Sequence, residues 1–312
     1  MLARTPGRTA GRVWMRLLTP AAAAALLVLT IGVPANAAGP LVGDDGVARS
    51  GTYTADVVPA WKAQLLVLHG KQQAGTMLAA DATQWNAIID AHGLDPRSKL
   101  AAATASASGG IAPMAAVSMD LAGTQVPQLQ GNWCGPASAQ SIVLSWHNVN
   151  SVVYPTASSW DGKSLSQYNL SSATYTNAGS SGGTDWVDND MTRALNRWIF
   201  NGGQIYVQYT PTSVTALQDH VTLDMSVSMM IASDMSEVKG GSHYNYHPNL
   251  LIYHWTTIRG YASSGATLHF QDPAANTTVL GTAWANVAPY FSMSSASTYS
   301  FMTHNVTRGI AW

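Results

Sequence analysis

The sequence predicts an α+β domain in which helices come first and an antiparallel sheet follows. Three observations carry this. Apolar residues at helical spacing concentrate between residues 134 and 221, and short apolar runs of strand length dominate from 226 to 271. The stretch 125–312 holds 188 residues, which suits one hydrophobic core.

Taken in order, residues 1–37 read as a secretory signal peptide. Arg4, Arg8, Arg12 and Arg16 form a basic region, Leu17 to Val33 is apolar, and Ala35-Asn36-Ala37 is an A-x-A cleavage site. The apolar run contains Thr19, Pro20 and Gly32 and is short for a membrane anchor. The protein is therefore expected to be secreted and extracellular, with no membrane attachment after cleavage. Residues 38–124 read as an N-terminal region of their own. Gln64 to His69 is apolar, helix or strand. Trp85, Ile88, Ile89 and His92 share one helical face that Gly93 ends. From Leu100 to Gly123 the composition is that of a linker, rich in Ala, Ser, Thr and Gly. A prosegment with a cleavable linker and a simple extension packed on the domain both fit this pattern.

The main domain, 125–312, opens on the helix that follows Cys134, with Ala139, Ile142, Val143 and Trp146 on one face. A polar stretch from 147 to 183 reads as loops. Thr184 is expected to cap a helix with Val187, Met191, Ala194, Leu195 and Trp198 inward, closed by Asn201-Gly202-Gly203. Strands are expected at 204–209, 226–232, 249–259 and 266–271, with a short helix at 213–221 and a polar loop from Asp234 to Pro248.

Composition excludes some functions. Removing residues 1–37 takes four arginines and no acids, which moves the net charge from −1 to −5. A nucleic-acid partner needs a basic face, so none is expected. Hydrophobic residues make up 46% of the chain, enough for a core rather than disorder. Cys134 is the only cysteine, so no internal disulfide forms. In an exported protein such a thiol is either paired with another chain or reactive; a monomer with a reactive thiol is expected.

Chemistry centres on Cys134. It sits at a helix start, where unpaired N–H groups and the helix dipole favour an anion, here the thiolate. Gly135 is expected to keep the backbone beside the sulfur open for a substrate. The hairpin 249–271 supplies the partners. With its turn centred on Ser263, Ile258 faces Leu268, Thr256 faces Phe270, and His254 faces Asp272. A carboxylate that accepts one ring N–H fixes the imidazole and frees its other nitrogen. The other face, with Trp255, Thr257, Arg259, His269 and Gln271, reads as solvent-facing. Gln128, six residues before Cys134, and Gln130, four before, each offer a side-chain amide donor for an oxyanion, and two ordinary loop glutamines fit the same spacing.

Gln128-x5-Cys134-Gly135-Pro136-Ala137-Ser138, His254-Trp-Thr-Thr-Ile-Arg-Gly260-Tyr261 and Asp272-Pro273 together resemble the papain-like cysteine peptidases related to the bacteriocin-processing (double-glycine) peptidases. The resemblance covers roughly residues 125–275. It implies a papain-like fold, a Cys-bearing helix packed on an antiparallel sheet that bears His and Asp. It implies Cys134 as nucleophile, His254 as general base and acid, Asp272 as orienting acid and Gln128 as oxyanion donor. Peptide or protein is then the substrate, hydrolysed through a thioester without a cofactor or metal. The transporter domains of some members are not in this sequence, so a role in bacteriocin export is not implied.

Three alternatives compete. Gly179-Ser-Ser181-Gly-Gly183 matches a serine-hydrolase elbow but lacks an apolar strand before it. His243 and His247 would suit a metal only on a helix, which Gly240-Gly241 and Pro248 disfavour. A catalytically inactive module would use the aromatics at 154–175 to bind peptide or cell-wall components.

Overall fold

The computed structural model describes residues 41–42, 48–49, 57–100, 117–150 and 156–312. The expected signal peptide and most of the expected linker lie outside the described residues. Strands β1 (Leu41–Val42) and β2 (Ala48–Arg49) pair antiparallel. Helices α1 (Ala60–Gln73) and α2 (Ala79–Ala91) follow, so Gln64 to His69 is helical. Trp85, Ile88 and Ile89 are buried as their spacing predicts, while His92 caps α2 and stacks on Trp61 at 4.1 Å. Next come β3 (Met119–Asp120), α3 (Cys134–Asn150), and two single turns, α4 (Gln167–Leu170) and α5 (Ala178–Ser181). The order continues with α6 (Asp190–Phe200), β4 (Gln208–Tyr209), α7 (Val214–Ser226), β5 (Ile231–Glu237) and β6 (Ile252–Ala262). It closes with β7 (Thr267–Gln271), β8 (Tyr290–Ser294), α8 (Ser295–Thr303) and β9 (Ile310–Ala311).

Among the described residues the main sheet has seven antiparallel strands in the order β4-β9-β5-β6-β7-β8, with β3 also pairing β6. Helix α3 lies on β6, its Ala139, Ile142, Val143 and Trp146 buried, and Ser138 Oγ donates to the Trp255 carbonyl at 3.0 Å. The α+β class and the Cys-bearing helix on an antiparallel sheet are thus as the sequence predicts.

Several boundaries differ, each for a local reason. Thr184 is not the cap of α6, which starts at Asp190 behind a left-handed Asn189 with φ 54°, and Val187 lies before the helix. Residues 184–189 instead turn so that Trp186 enters the core beside Trp255, ring centroids 5.8 Å apart. The strand expected at 204–209 shrinks to Gln208–Tyr209, because the N–H groups of Ile205 and Tyr206 donate to the Asn196 side chain. The run 226–232 is split. Helix α7 extends to Ser226, and β5 begins at Ile231 and takes in Asp234 to Glu237 from the expected loop. A short apolar run has no periodicity that separates a helix end from a strand.

The hairpin register is also corrected. Leu268 pairs Tyr261 and Thr267 pairs Ala262, but past Arg259 the pairing shifts, so that Phe270 faces Ile258 and Gln271 faces Thr257. Arg259 is the extra residue of a β-bulge, and its carbonyl accepts from Leu121 N at 2.8 Å, beside β3. Without the bulge Asp272 would continue opposite Thr257, on the face away from His254. With it, Asp272 continues opposite Thr256 and becomes a diagonal neighbour of His254 on the same face. The face expected to meet solvent is covered instead: Trp255, Thr257 and Gln271 are buried. Helix α3 supplies part of that cover.

Helices α1 and α2 share the main core through Leu65, Leu68, Trp85 and Ile89. Their one buried cation, Lys62, donates to the Ile205 carbonyl at 3.0 Å and lies 4.1 Å from the Trp312 ring and 3.7 Å from Asp224 on α7.

Candidate active site

Cys134 is the first residue of α3 and only 2% exposed. The Trp133 carbonyl accepts from Ala137 N at 3.0 Å and opens the helix. Gly135 does not face open space as expected: a Cβ there would overlap the Thr184 side chain. The glycine lets residue 184 pack onto the helix start, and Thr184 in turn offers its carbonyl to Trp255 Nε1 at 3.0 Å.

Cys134 and His254 line one cleft of about 270 Å³, with Gln128, Gly131, Leu250, Leu251, Ile252, Tyr253, Leu280 and Trp284. Among the described residues no acid, lysine or arginine lines it. His254 sits on β6 opposite Met235 of β5, and its Nε2 donates to Asp272 Oδ1 at 2.8 Å. That bond commits Nε2 and leaves Nδ1 as the nitrogen that can serve Cys134.

Asp272 follows β7 and is fully buried. Its Oδ1 accepts from His254 and, at 2.9 Å, from Ala274 N. Its Oδ2 accepts from His247 Nε2 at 2.9 Å and Asn245 Nδ2 at 2.7 Å. Four donors fill the acceptor capacity of a carboxylate, so its orientation is fixed. Burial opposes its charge, but the His254 and His247 rings, by charge and hydrogen bond, hold it well below the usual carboxylate range.

Gln128 is buried beside the cleft, but its Nε2 donates to the Gln130 carbonyl at 2.8 Å and the Gly131 carbonyl at 3.0 Å. The amide thus closes the loop before Cys134. Gln130 contributes a carbonyl to that loop. Three residues of the site were not read from sequence as parts of it: His247, Asn245 and Glu237. They come from an irregular loop and a strand end, where no periodicity signals convergence on Asp272. His247 stood out only as a metal candidate with His243.

Those two histidines lie on no helix, and both meet Glu237 Oε2, at 3.1 and 3.2 Å. Donor atoms of His247, His254 and Asp272 fall within 4.8 Å of one another. Each imidazole, however, takes a different Asp272 oxygen at hydrogen-bond distance, so the cluster reads as a proton-bonded network. The 179–183 segment holds the single turn α5 with no strand before it, so it lacks the frame of a nucleophile elbow.

Compared with known families, residues 123–299 match the model of the Peptidase_C39 like family. The chain belongs to the Peptidase C39-like family. No curated protein was found to match it. Membership points to a cysteine peptidase with a papain-like α+β fold. The matched segment of this C39-like chain contains Cys134, His254 and Asp272 as well as β4 to β8 of the sheet, while β3 and β9 lie outside it.

Proposed function

We propose that the protein is a secreted cysteine peptidase that hydrolyses peptide bonds through Cys134, His254 and Asp272, with residues 1–37 as its export signal and 125–312 as its peptidase domain. The observation that carries this reading is a buried Asp272–His254 pair opening on the same cleft as the thiol at the tip of α3. The Cys134 thiolate attacks the carbonyl carbon, forming the C–S bond as the carbonyl electrons move to oxygen. The Cys134 N–H and Gln128 stabilise that oxyanion, one Gln128 donor leaving its loop carbonyl to do so. The C–N bond breaks as His254 Nδ1–H protonates the leaving amine, which leaves a thioester. His254 Nδ1 then takes a proton from water, hydroxide displaces the thiolate, and the acid product departs. Asp272 holds the ring throughout and stabilises its charged form.

Residues 38–124 stand in this reading as a prosegment-like region. None of the described residues 57–100 lines the cleft, so inhibition by direct coverage is not assigned to α1 or α2. The test is incubation with a peptide library, comparing wild type with Cys134→Ser. Cleavage products with wild type alone support the reading. No cleavage of any peptide, with the thiol alkylating like an ordinary cysteine, refutes it in favour of an inactive module.

A further inference from the structure

The acid that orients His254 is itself held by a second histidine, which the mechanism above does not use. His247 meets a carboxylate at each ring nitrogen: Nδ1 is 3.2 Å from Glu237 Oε2 and Nε2 is 2.9 Å from Asp272 Oδ2. A neutral imidazole has one N–H and would set a lone pair against one of the two acids; only the imidazolium donates to both. All three side chains are fully buried. Burial works against charge on His247, but Asp272 and then Glu237 push its pKa up to about 9.

The surrounding elements complete the clamp. From β6, the His254 ring stands edge-on at 5.2 Å; from the loop, Tyr244 packs at 4.5 Å, its hydroxyl kept neutral by burial. His243 shares Glu237 Oε2 at 3.1 Å, and Glu237 Oε1 accepts from Tyr244 N at 2.8 Å. Trp284 covers the ring at 4.9 Å. The loop reaches this place through left-handed backbone at Asn245 and Tyr246, φ 49° and 60°, an uncommon conformation for a tyrosine.

We propose that His247, anchored by Glu237, is a positioning residue of the catalytic triad: its protonated ring clamps the second oxygen of Asp272 and sets the charge felt by His254 and Cys134. The inference rests on the peptidase reading. In the working state it completes a row of alternating charge, Cys134 thiolate, His254 imidazolium, Asp272, His247 imidazolium and Glu237. Without the His247 charge, two buried acids would stand behind His254 with one cation between them and the thiolate. Cys134 lies beyond the His254 ring, itself 5.2 Å from His247, and a unit charge on the order of 10 Å away at an effective dielectric of about 20 is worth about one pKa unit, so thiolate formation at Cys134 would move to higher pH by about that much.

The experiment is the pH dependence of Cys134 alkylation by iodoacetamide, which needs no peptide substrate, in wild type and His247→Gln. Glutamine can still donate to Asp272 but carries no charge. A depressed thiol pKa in wild type that rises by about one unit or more in a folded His247→Gln supports the proposal; far-UV circular dichroism and a cooperative melt report the fold. A depressed thiol pKa that the substitution leaves unmoved overturns the positioning role and leaves the peptidase reading standing. A wild-type thiol that titrates near its ordinary value of about 8.5 overturns both. Should the variant not fold, nitrogen-15 spectra of the wild-type imidazoles decide: His247 protonated on both nitrogens at neutral pH supports the clamp, and a neutral ring there overturns it.

Discussion

Replacing Asp272 with asparagine tests the orienting bond directly. Asp272 Oδ1 lies 2.8 Å from His254 Nε2 in a fully buried setting. At that separation and an effective dielectric of about 20, opposite unit charges attract by about 6 kcal/mol. Most of this is lost for the imidazolium that His254 becomes when its negative partner is made neutral. Each 1.36 kcal/mol is about tenfold in rate, so kcat/KM should fall on the order of 10⁴-fold. Geometry adds to the loss. Three side-chain donors and one backbone donor converge on the carboxylate, so the asparagine NH₂ must face one pair of them. The assay is steady-state cleavage of a peptide that wild type cuts, normalised to the folded fraction from circular dichroism. A folded Asp272→Asn protein that keeps activity within tenfold of wild type would refute the role assigned to the bond.

Other outcomes follow from the same structure. His247 has its folded pKa raised to about 9, so its stabilisation is fully present below its ordinary value of about 6.5 and lost as pH rises through 9. That contribution is on the order of 3 kcal/mol; urea midpoints should fall more steeply with pH in wild type than in His247→Gln, and equal slopes would contradict it. Burial lowers Lys62 to about 8, which acts with the opposite sign above that pH and cancels in the comparison. Lys62→Ala leaves Asp224, fully buried, without its cation; a loss of about 3–5 kcal/mol is expected by chemical denaturation, with most of it recovered in Lys62→Met/Asp224→Leu. Gly260→Ala puts a Cβ into the Met119 carbonyl and the Asp120 side chain; about 1–3 kcal/mol should be lost, and an unchanged melting temperature would show that β3 yields freely.

Much of the site was legible in the chain itself. The 3.6-residue spacing of Ala139, Ile142, Val143 and Trp146 placed Cys134 at a helix start, because one face of that helix has to be buried. The residue types at 254 and 272 marked an imidazole and an acid on neighbouring strands. Their pairing was not legible in detail. The bulge at Arg259 is set by a carbonyl that bonds Leu121, far away in sequence. By absorbing one residue it restores the parity that brings Asp272 to the His254 face.

The space beside Gly135 was equally hidden, since Thr184 fills it from a loop whose path depends on Trp186 entering the core. His247 and Glu237 lie in a loop and at a strand end, where side-chain direction follows no period. Local periodicity and residue chemistry thus determined the α+β class, the Cys-bearing helix and the candidate reacting groups. Only the tertiary fold decided the register, the four donors on Asp272 and the second histidine behind it, because each depends on contacts between segments that no local spacing relates.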